Sequence, residues 1–348
     1  MAPTGPIRTL AVRLPNPLGD AVMSLPLLAL LERAGVGERR FLLGAEALRP
    51  LAETGAAGWA FAPLGPRGPG RIRREAAALR ATGADAVVLL PNSWSSALAA
   101  LLAGTPQRIG RRGRGRGAAL TKSLPPIPGP APMTRLYAEL AAPLGVAIPD
   151  VLPPARLRAD PAATPAVLEG GSDWLAIAPG AAFGPSKVPP DAFFAAVVRG
   201  AHEEAALHPF LLGAPAESDR LSELAAVLES ALGGVAVPVV ASGLDAAMAA
   251  LAASRALLAT DNGARHLAAA LGVPQVVLYG PTHPAWSDHA RERTVRLRVE
   301  GLDCLACHRR DCPIADHPCM TRLEPERAVA ALAALETGPE EWVASREV

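Results

Sequence analysis

The chain has 348 residues, of which 50% are hydrophobic and 19% charged, and its formal net charge is +1. This length exceeds what one hydrophobic core usually supports, so we expect two soluble globular domains. The near-neutral charge disfavours a general nucleic-acid binder. The sequence has no uninterrupted run of about 20 apolar residues, which disfavours a membrane-spanning helix. Residues 1–6 lack the basic start and the long apolar run of a signal peptide, so we expect a cytoplasmic protein.

The N-terminal part of the chain predicts a strand over 7–14, a loop over 15–20 and a helix over 21–31. Asp20 ends the loop, so it lies where the strand gives way to the helix. In α/β proteins this carboxyl edge of a parallel sheet is where ligands bind. Asp20 is therefore a candidate catalytic carboxylate, although an aspartate at this place is also a common helix N-cap.

Strands and helices continue to alternate through the first half, which is typical of a parallel sheet with helices on both faces. The predicted elements are strands near 41–43 and 59–61, a helix over 71–82, a strand over 85–90 and a helix over 95–103. A basic run then follows over 108–117, in which glycines separate Arg111, Arg112, Arg114 and Arg116. Without interleaved aromatic residues the run is a weak nucleic-acid signal. A solvated flexible loop and a clamp for an anionic ligand both remain open.

Prolines interrupt the alternating pattern between the two halves of the chain. They are Pro149, Pro153, Pro154, Pro161 and Pro165. Proline continues neither helices nor central strands, and a second alternating run begins at Trp174. We therefore predict an N-terminal Rossmann-like domain over 1–150, a Pro-rich linker over 151–172, a C-terminal Rossmann-like domain over 173–325, and a C-terminal helix and tail over 326–348.

The second half opens with a strand, a Gly-rich loop that contains Gly180 and Ala181, and then Lys187. Only Lys122 and Lys187 are lysines, whereas the other 32 of the 34 basic residues are arginines. A lysine kept against this bias indicates a need for its compact ammonium, although chance survival explains it equally well.

A further strand near 256–259 leads into Asp261, Asn262 and Gly263, and a helix follows that carries His266 in its first turn. A turn at a strand end that opens into a helix offers backbone N–H groups to an anion such as a diphosphate. A tight turn with a capped helix is the simpler alternative. The next apolar strand ends at Gly280, Pro281 and Thr282.

These segments together resemble the ADP-heptose:lipopolysaccharide heptosyltransferases. The resemblance extends from about residue 8 to 325, and it is carried by the run GDAVMSLP that contains Asp20, by 176–187, and by 261–282. It implies the GT-B fold, in which two Rossmann-like doubly wound domains of the α/β class face each other across a cleft. It also implies inverting transfer of heptose from ADP-heptose to an anionic glycan or lipid-linked acceptor, such as the lipopolysaccharide inner core, at the inner membrane surface.

The resemblance assigns roles to the candidate residues. Asp20 becomes the general base, and the arginine run, Arg111, Arg112, Arg114 and Arg116, faces the acceptor. The donor residues are Gly180, Ala181, Lys187, Asp261, Asn262, Gly263, His266, Gly280, Pro281 and Thr282. Asn262 stands where the family usually has Ser or Thr, and its amide could still donate to a phosphate.

No cofactor is implied for catalysis, and no nucleic-acid partner. The location implied is cytoplasmic and peripheral to the inner membrane. A related transferase with another nucleotide sugar or a protein acceptor is an alternative. A Rossmann oxidoreductase is disfavoured because no Gly-x-Gly-x-x-Gly follows the first strand.

All four cysteines, Cys304, Cys307, Cys312 and Cys319, fall within sixteen residues. The first pair has the spacing of metal ligands, and His308 and His317 are further candidates. In a cytosolic protein a metal is favoured over disulfides, and a subset of the resembling transferases carries a similar segment. We predict a structural zinc or iron site here, with four reduced thiols as the alternative.

Overall fold

A computed structural model describes residues 7–66, 68–113, 115–127, 129–171, 173–287, 289, 293–337 and 346–347. The chain divides into two compact units, the first ending at Ala155 and the second beginning at Arg156. Within the described part of the chain, no helix is long and apolar enough to cross a membrane.

The described strands of the first unit form a six-stranded parallel sheet in the order β3-β2-β1-β4-β5-β6. Its strands are β1 (Thr9–Arg13), β2 (Arg39–Ala45), β3 (Ala60–Leu64), β4 (Ala86–Leu89), β5 (Gln107–Arg111) and β6 (Lys122–Leu124). Its helices are α1 (Leu18–Met23), α2 (Leu25–Arg33), α3 (Arg49–Gly55), α4 (Arg71–Ala81), α5 (Trp94–Leu102) and α6 (Met133–Ala138). Every residue of β1 and β4 is buried, because helices cover both faces of a parallel sheet.

The predicted helix over 21–31 is two helices in the structure. The chain turns helical at Leu18, three residues early, and breaks at Ser24, whose hydroxyl donates to the carbonyl of Ala21 at 2.7 Å. Pro26 lies in the first turn of α2, where its missing N–H costs nothing. A proline at this position starts a helix more easily than it continues one.

The described strands of the second unit form a seven-stranded parallel sheet in the order β13-β12-β11-β10-β7-β8-β9. They are β7 (Trp174–Ala178), β8 (His208–Gly213), β9 (Val239–Ala241), β10 (Ser254–Thr260), β11 (Gln275–Leu278), β12 (Thr294–Leu297) and β13 (Arg346–Glu347). The helices are α7 (Asp191–Ala205), α8 (Ser218–Ala231), α9 (Leu244–Ala252), α10 (Gly263–Leu271), α11 (Pro318–Thr321) and α12 (Pro325–Thr337).

Both sheets have the doubly wound order, in which the chain reverses direction across the sheet beside its first strand. The reversal lies between β1 and β4 in the first unit and between β7 and β10 in the second. The prediction of an α/β fold with two Rossmann-like halves is therefore confirmed.

The Pro-rich segment predicted as a linker packs against the second unit from Arg156 onward. Leu157 donates its N–H to the carbonyl of Ala270 at 3.0 Å. Short 3-10 turns occupy Pro161–Ala163 and Ala166–Leu168, and Leu168 is buried. Proline ends regular elements, but it does not prevent a segment from burying its apolar side chains.

Candidate active site

The second sheet brings most of the predicted donor residues to one place, the reversal point between β7 and β10. Gly180 follows β7, and Asp261 follows β10, its parallel neighbour. The hydroxyl of Thr260 donates to the carbonyl of Gly180 at 2.8 Å and so joins the two loops. Carboxyl ends of strands at such a reversal point form the usual ligand crevice of open α/β sheets.

Lys187, Asp261 and Thr282 form a buried polar cluster at this point. The Lys187 Nζ lies 2.8 Å from Oδ2 of Asp261 and donates to the Asp261 carbonyl at 2.6 Å, and the two side chains are 9% and 10% exposed. Thr282 donates to the same Oδ2 at 2.7 Å. An ammonium has three donors; Asp261 engages two of them, and the Nζ also lies 5.1 Å from the centroid of the Phe183 ring.

Asp261 is ionised in this cluster. Burial alone would raise its pKa, but the positive charges of Lys187 and Arg265 and the hydrogen bonds from Lys187 and Thr282 outweigh burial and lower the pKa. The carboxylate therefore holds the ammonium of Lys187 in place rather than acting as a proton donor.

Asn262 has a different role from the one predicted. Its Oδ1 caps α10 by accepting from the N–H groups of Ala264 and Arg265. Its Nδ2 donates to the carbonyls of Ala178 and Gly180, at 2.9 and 2.8 Å. The expectation that this amide donates to a phosphate is therefore wrong, because its two N–H groups already hold the end of β7.

The Asn262 cap also reduces the number of backbone N–H groups that α10 can offer to an anion. The first turn of a helix has four N–H groups without an intrahelical partner. The Asn262 side chain engages those of Ala264 and Arg265. Among the four, the N–H groups of Asn262 and Gly263 are the ones outside the cap, so the helix end is a smaller anion site than the sequence suggests.

His266 is paired with a histidine that the sequence did not single out, His289. His266 Nδ1 lies 2.9 Å from Nε2 of His289 and 3.4 Å from Nη1 of Arg265. A guanidinium only donates, so Nδ1 of His266 is the accepting nitrogen. The shared proton therefore belongs to Nε2 of His289, and His266 carries its own proton on Nε2.

Both imidazoles are neutral in this environment. Burial lowers the pKa of His266 and of His289 well below the usual value, and the nearby positive charge of Arg265 lowers both further. A neutral His266 with its proton on Nε2 is a hydrogen-bond donor at this end of α10. Twenty-three residues separate the two histidines, and no local pattern in the sequence links them.

Glu217, also absent from the predicted residues, lies against Gly180. It ends the 3-10 turn Pro215–Glu217 after β8, and its Oε2 accepts from the N–H of Ala214 at 2.8 Å. A Cβ at Gly180 would come within 2.1 Å of the Glu217 carboxylate, so the carboxylate lies directly against the backbone of Gly180 and would have to move for a larger residue. An acidic residue after the second strand of a Rossmann-like half is the usual partner of a ribose hydroxyl. The position of Glu217 after β8 could therefore have identified it as a candidate from the sequence.

The Cys-rich segment, residues 304–319, packs on two loops that carry candidate donor residues, the one after β7 and the one after β11. The N–H groups of Ala306 and His308 donate to the carbonyls of Gly280 and Pro281, at 3.1 and 2.7 Å. Ser186, next to Lys187, donates its N–H and hydroxyl to the carbonyls of residues 310 and 309. A Cβ at Gly280 would meet the side chain of Cys319 at 2.9 Å. The segment therefore supports the loops that carry the candidate donor residues.

All four cysteines line one cavity of about 280 Å³, together with His317. The thiols are unbonded to one another. Burial raises the pKa of Cys319 to about 11, and the other three cysteines contribute to this shift. Among the described residues, however, no group of three or more His, Cys, Asp or Glu side chains is arranged to hold a metal ion. The donor set suits zinc or iron chemically, but the side chains do not form a preformed coordination sphere.

Asp20 lies in the first turn of α1, beside the reversal point of the first sheet. The N-cap of that helix is Pro17, so the alternative that Asp20 is an N-cap is wrong. The buried hydroxyl of Tyr137 lies 3.3 Å from Oδ1 of Asp20. Burial, followed by the charge of Asp20, raises the pKa of Tyr137 well above its usual value, so Tyr137 remains a neutral donor to the carboxylate.

The four predicted acceptor arginines do not share one environment. Arg111 is buried at the end of β5 and donates to Glu139 and to the carbonyl of Leu136. Arg112 is exposed, and Arg114 lies outside the described residues. The expectation of a flexible, solvated loop is wrong for Arg111 and Arg116, because both side chains are buried in the first unit. Their role toward an acceptor stays a prediction.

Arg116 is the more informative of the two buried arginines. Its Nη1 donates to the carbonyl of Pro91 at 2.6 Å, just beyond the end of β4. Its Nε and Nη2 have no hydrogen-bond partner among the described residues. Burial lowers its pKa to about 10, so the guanidinium is still charged at neutral pH. The side chain is fully buried, so an anion that satisfies these donors would have to enter the first unit at this point.

A further cavity of about 430 Å³ lies at the same edge of the first sheet, near the ends of β1, β2 and β3. Arg13 and Glu75 form its polar wall; their Nε and Oε1 atoms are 3.0 Å apart, and both side chains are buried. Arg71 and Asn16 add further polar groups. Four groups that donate or accept hydrogen bonds in one cavity suit a ligand rich in hydroxyls.

Comparison with known proteins shows what this chain is similar to. A family model described as "Glycosyltransferase family 9 (heptosyltransferase)" matches residues 72–317. The "Lipopolysaccharide heptosyltransferase 2" of Escherichia coli K12 is 28% identical over 291 residues, which are 76% of this chain and 79% of that protein. The "Lipopolysaccharide heptosyltransferase 1" of Pseudomonas aeruginosa PAO1 is 34% identical, but the match covers only 37% of this chain and 38% of that protein.

Among solved structures, that of "E. coli ADP-heptose lps heptosyltransferase II" superposes with a TM-score of 0.79 at 26% identity. The superposition covers 94% of this chain and 98% of that one.

Proposed function

This chain belongs to glycosyltransferase family 9, the heptosyltransferases, and from that membership we propose that it transfers heptose from ADP-heptose to an anionic glycan acceptor such as the lipopolysaccharide inner core. The observation that carries the proposal is the Lys187–Asp261–Thr282 cluster at the reversal point of the second sheet. It holds the ammonium of Lys187 at the crevice in which the phosphates of a nucleotide sugar would lie.

In this proposal the diphosphate of ADP-heptose accepts from Lys187 Nζ, from the N–H of Gly263 and from Nε2 of His266. Gly180 and Ala181 form the floor of the donor site with Gly280, Pro281 and Thr282. Glu217 accepts from the ribose hydroxyls, as acidic residues at this position of Rossmann-like folds do. Charge that develops on ADP as it departs is stabilised by these donors, so no step requires a catalytic metal.

Asp20 acts as the general base on the acceptor. It takes the proton of the attacking hydroxyl while the oxygen forms a bond to the anomeric carbon of heptose and the bond from that carbon to ADP breaks. Because the attack is from the face opposite ADP, the configuration inverts. The hydrogen bond from Tyr137 orients the carboxylate for this proton transfer.

The acceptor is proposed to bind at the carboxyl edge of the first sheet. The unsatisfied donors of Arg116 suit a phosphate or carboxylate of the acceptor, and exposed Arg112 adds a second positive charge. The cavity beside Arg13 and Glu75 suits its sugar hydroxyls. A lipid-linked acceptor of this kind is held in a membrane, so we place the enzyme at the cytoplasmic face of the inner membrane.

The direct test incubates the purified protein with ADP-heptose and a truncated inner-core acceptor and identifies the product by mass spectrometry and NMR. We expect a heptosylated acceptor with inverted configuration and one ADP per transfer. Asp20→Asn should lower turnover by roughly 10²–10⁴-fold, the usual contribution of a general base, with ADP affinity unchanged. Transfer from another nucleotide sugar, or only to a protein, would favour the alternative transferases instead.

We also propose that the four cysteines bind one structural zinc or iron ion. The support is that all four line one cavity, which gives the set of thiolates that such ions prefer. Binding would replace the thiol protons and fasten the segment that supports Gly280 and Ser186. Elemental analysis should find about one ion per chain, and Cys307→Ser should lower the ion content and the melting temperature. Metal-free protein with four titratable thiols and an unchanged melting temperature would overturn this proposal.

A further inference from the structure

Helix α5 presents an apolar stripe to solvent. Trp94, Leu101 and Leu102 are 50%, 44% and 48% exposed, and Leu98 between them is half-buried. At about 100° per residue these four positions fall within one face of the helix. Ser96, Ala97, Ala99 and Ala100 form the opposite, buried face. Large apolar side chains exposed on one face mark an interaction site.

Arginines from the neighbouring helix α4 flank this stripe at both ends. Arg71 donates to the hydroxyl of Ser95 at 2.7 Å, next to Trp94. Arg80 donates to the carbonyl of Leu102 at the other end of α5. Arg73 and Arg74 are exposed on the same helix. The acidic residue of α4, Glu75, is buried and paired with Arg13, so it does not offset this positive charge.

We propose that this face, formed by Trp94, Leu98, Leu101 and Leu102 with Arg71, Arg73 and Arg80, docks on an anionic lipid surface. Apolar side chains that include a tryptophan, bordered by arginines, are the pattern of a helix lying in a membrane interface. This inference rests on the proposed lipid-linked acceptor. It names the part of the protein that meets the membrane holding that acceptor.

The position of the face suits that role. Trp94 follows Pro91 by three residues, and the carbonyl of Pro91 accepts from Arg116, the proposed acceptor arginine. The docking face therefore begins beside the edge of the first sheet where the acceptor is proposed to bind. An acceptor whose lipid remains in the bilayer could reach that edge from the tryptophan end of α5.

A second copy of the chain fits this face less well. Two copies that share the stripe by two-fold symmetry would pair α5 antiparallel with itself, because such an interface uses the same patch twice. The Arg71 end of one copy would then meet the Arg80 end of the other, and like charges facing each other destabilise a contact. An anionic lipid surface instead places negative charge opposite the arginines at both ends of α5, which is favourable.

Vesicle flotation of the full-length protein tests the proposal. The protein should float with vesicles of phosphatidylcholine and phosphatidylglycerol and not with phosphatidylcholine alone. Each arginine near an anionic surface strengthens binding about fivefold at low salt, so Arg73→Gln with Arg80→Gln should weaken flotation by roughly 25-fold. Trp94→Ser with Leu101→Ser should weaken it by about tenfold or more. The control variants are Val227→Ser and Arg199→Gln, exposed residues of α8 and α7, and they should float like wild type.

Activity on two acceptors separates this inference from the proposed function. The docking variants should keep wild-type kcat/KM on a delipidated acceptor in solution and lose it on the same acceptor in vesicles. Wild-type protein that does not float, or docking variants that float equally well, would overturn the docking face. A dimer that Trp94→Ser with Leu101→Ser converts to a monomer, with flotation unchanged, would show a protein interface instead. Absence of transfer to any acceptor, with flotation as expected, would contradict the proposed function and leave the docking face standing.

Discussion

Replacing Lys187 should lower both the free energy of unfolding and the affinity for ADP, for two different physical reasons. Lys187 and Asp261 are about 90% buried and 2.8 Å apart. Lys187→Met keeps the volume but leaves the Asp261 carboxylate without its ammonium, which should lower the free energy of unfolding by about 3–5 kcal/mol. It also removes a charge-assisted hydrogen bond to the diphosphate, so ADP affinity should fall roughly 10–150-fold.

The double variant Lys187→Met with Asp261→Asn makes the two effects distinguishable. Because neither buried charge remains, most of the lost stability should return. ADP affinity should stay low, since the donor to the phosphates is still absent. Urea unfolding measures the first quantity and isothermal titration with ADP the second. As a control, Arg220→Met breaks the exposed Arg220–Asp191 pair and should cost less than about 1 kcal/mol.

Two results would refute this reasoning. If the double variant is no more stable than Lys187→Met, the buried charge of Asp261 is not what destabilises the single variant. If Lys187→Met binds ADP as wild type does, the lysine serves the fold alone, and the proposed donor site loses its principal cation.

Three further predictions concern single residues. The pKa of Asp261 is lowered in the folded chain. The stability that its carboxylate adds is therefore complete above the unfolded pKa of about 4 and is lost as the pH falls through the lower folded value. The free energies of unfolding in urea of wild type and Asp261→Asn should converge only below about pH 4. Arg116→Lys keeps the charge but not the guanidinium fork, so the acceptor KM should rise about tenfold while the ADP affinity measured by titration stays constant. His289→Leu removes the donor that sets the tautomer of His266 and should weaken ADP binding about tenfold, whereas His289→Gln, whose amide can donate from the same place, should restore it; equal affinities in both variants would contradict the tautomer assignment.

The sequence alone predicted the alternation of strands and helices, the two Rossmann-like halves, the positions of Asp20 and Asp261 where a strand gives way to a helix, and that of Lys187 after a Gly-rich loop. These features follow from local periodicity and from turn residues, which act over a few positions in the chain. In a doubly wound sheet, strand ends meet at one edge whatever the side chains between them. Residues at strand ends could therefore be grouped into candidate sites without coordinates.

Only the tertiary structure decided what the polar groups at these ends bind. Asn262 could have faced a phosphate, but the carbonyls of Ala178 and Gly180, more than eighty residues earlier in the chain, take its N–H groups. Arg111 and Arg116 look like a solvated loop in the sequence, yet both are buried, and Arg111 meets Glu139 twenty-eight residues away. His266 and His289 likewise come within hydrogen-bond distance of each other only in the folded chain. The physical reason is that a buried polar group must find a partner, and in three dimensions that partner comes from distant parts of the chain, which local sequence patterns do not encode.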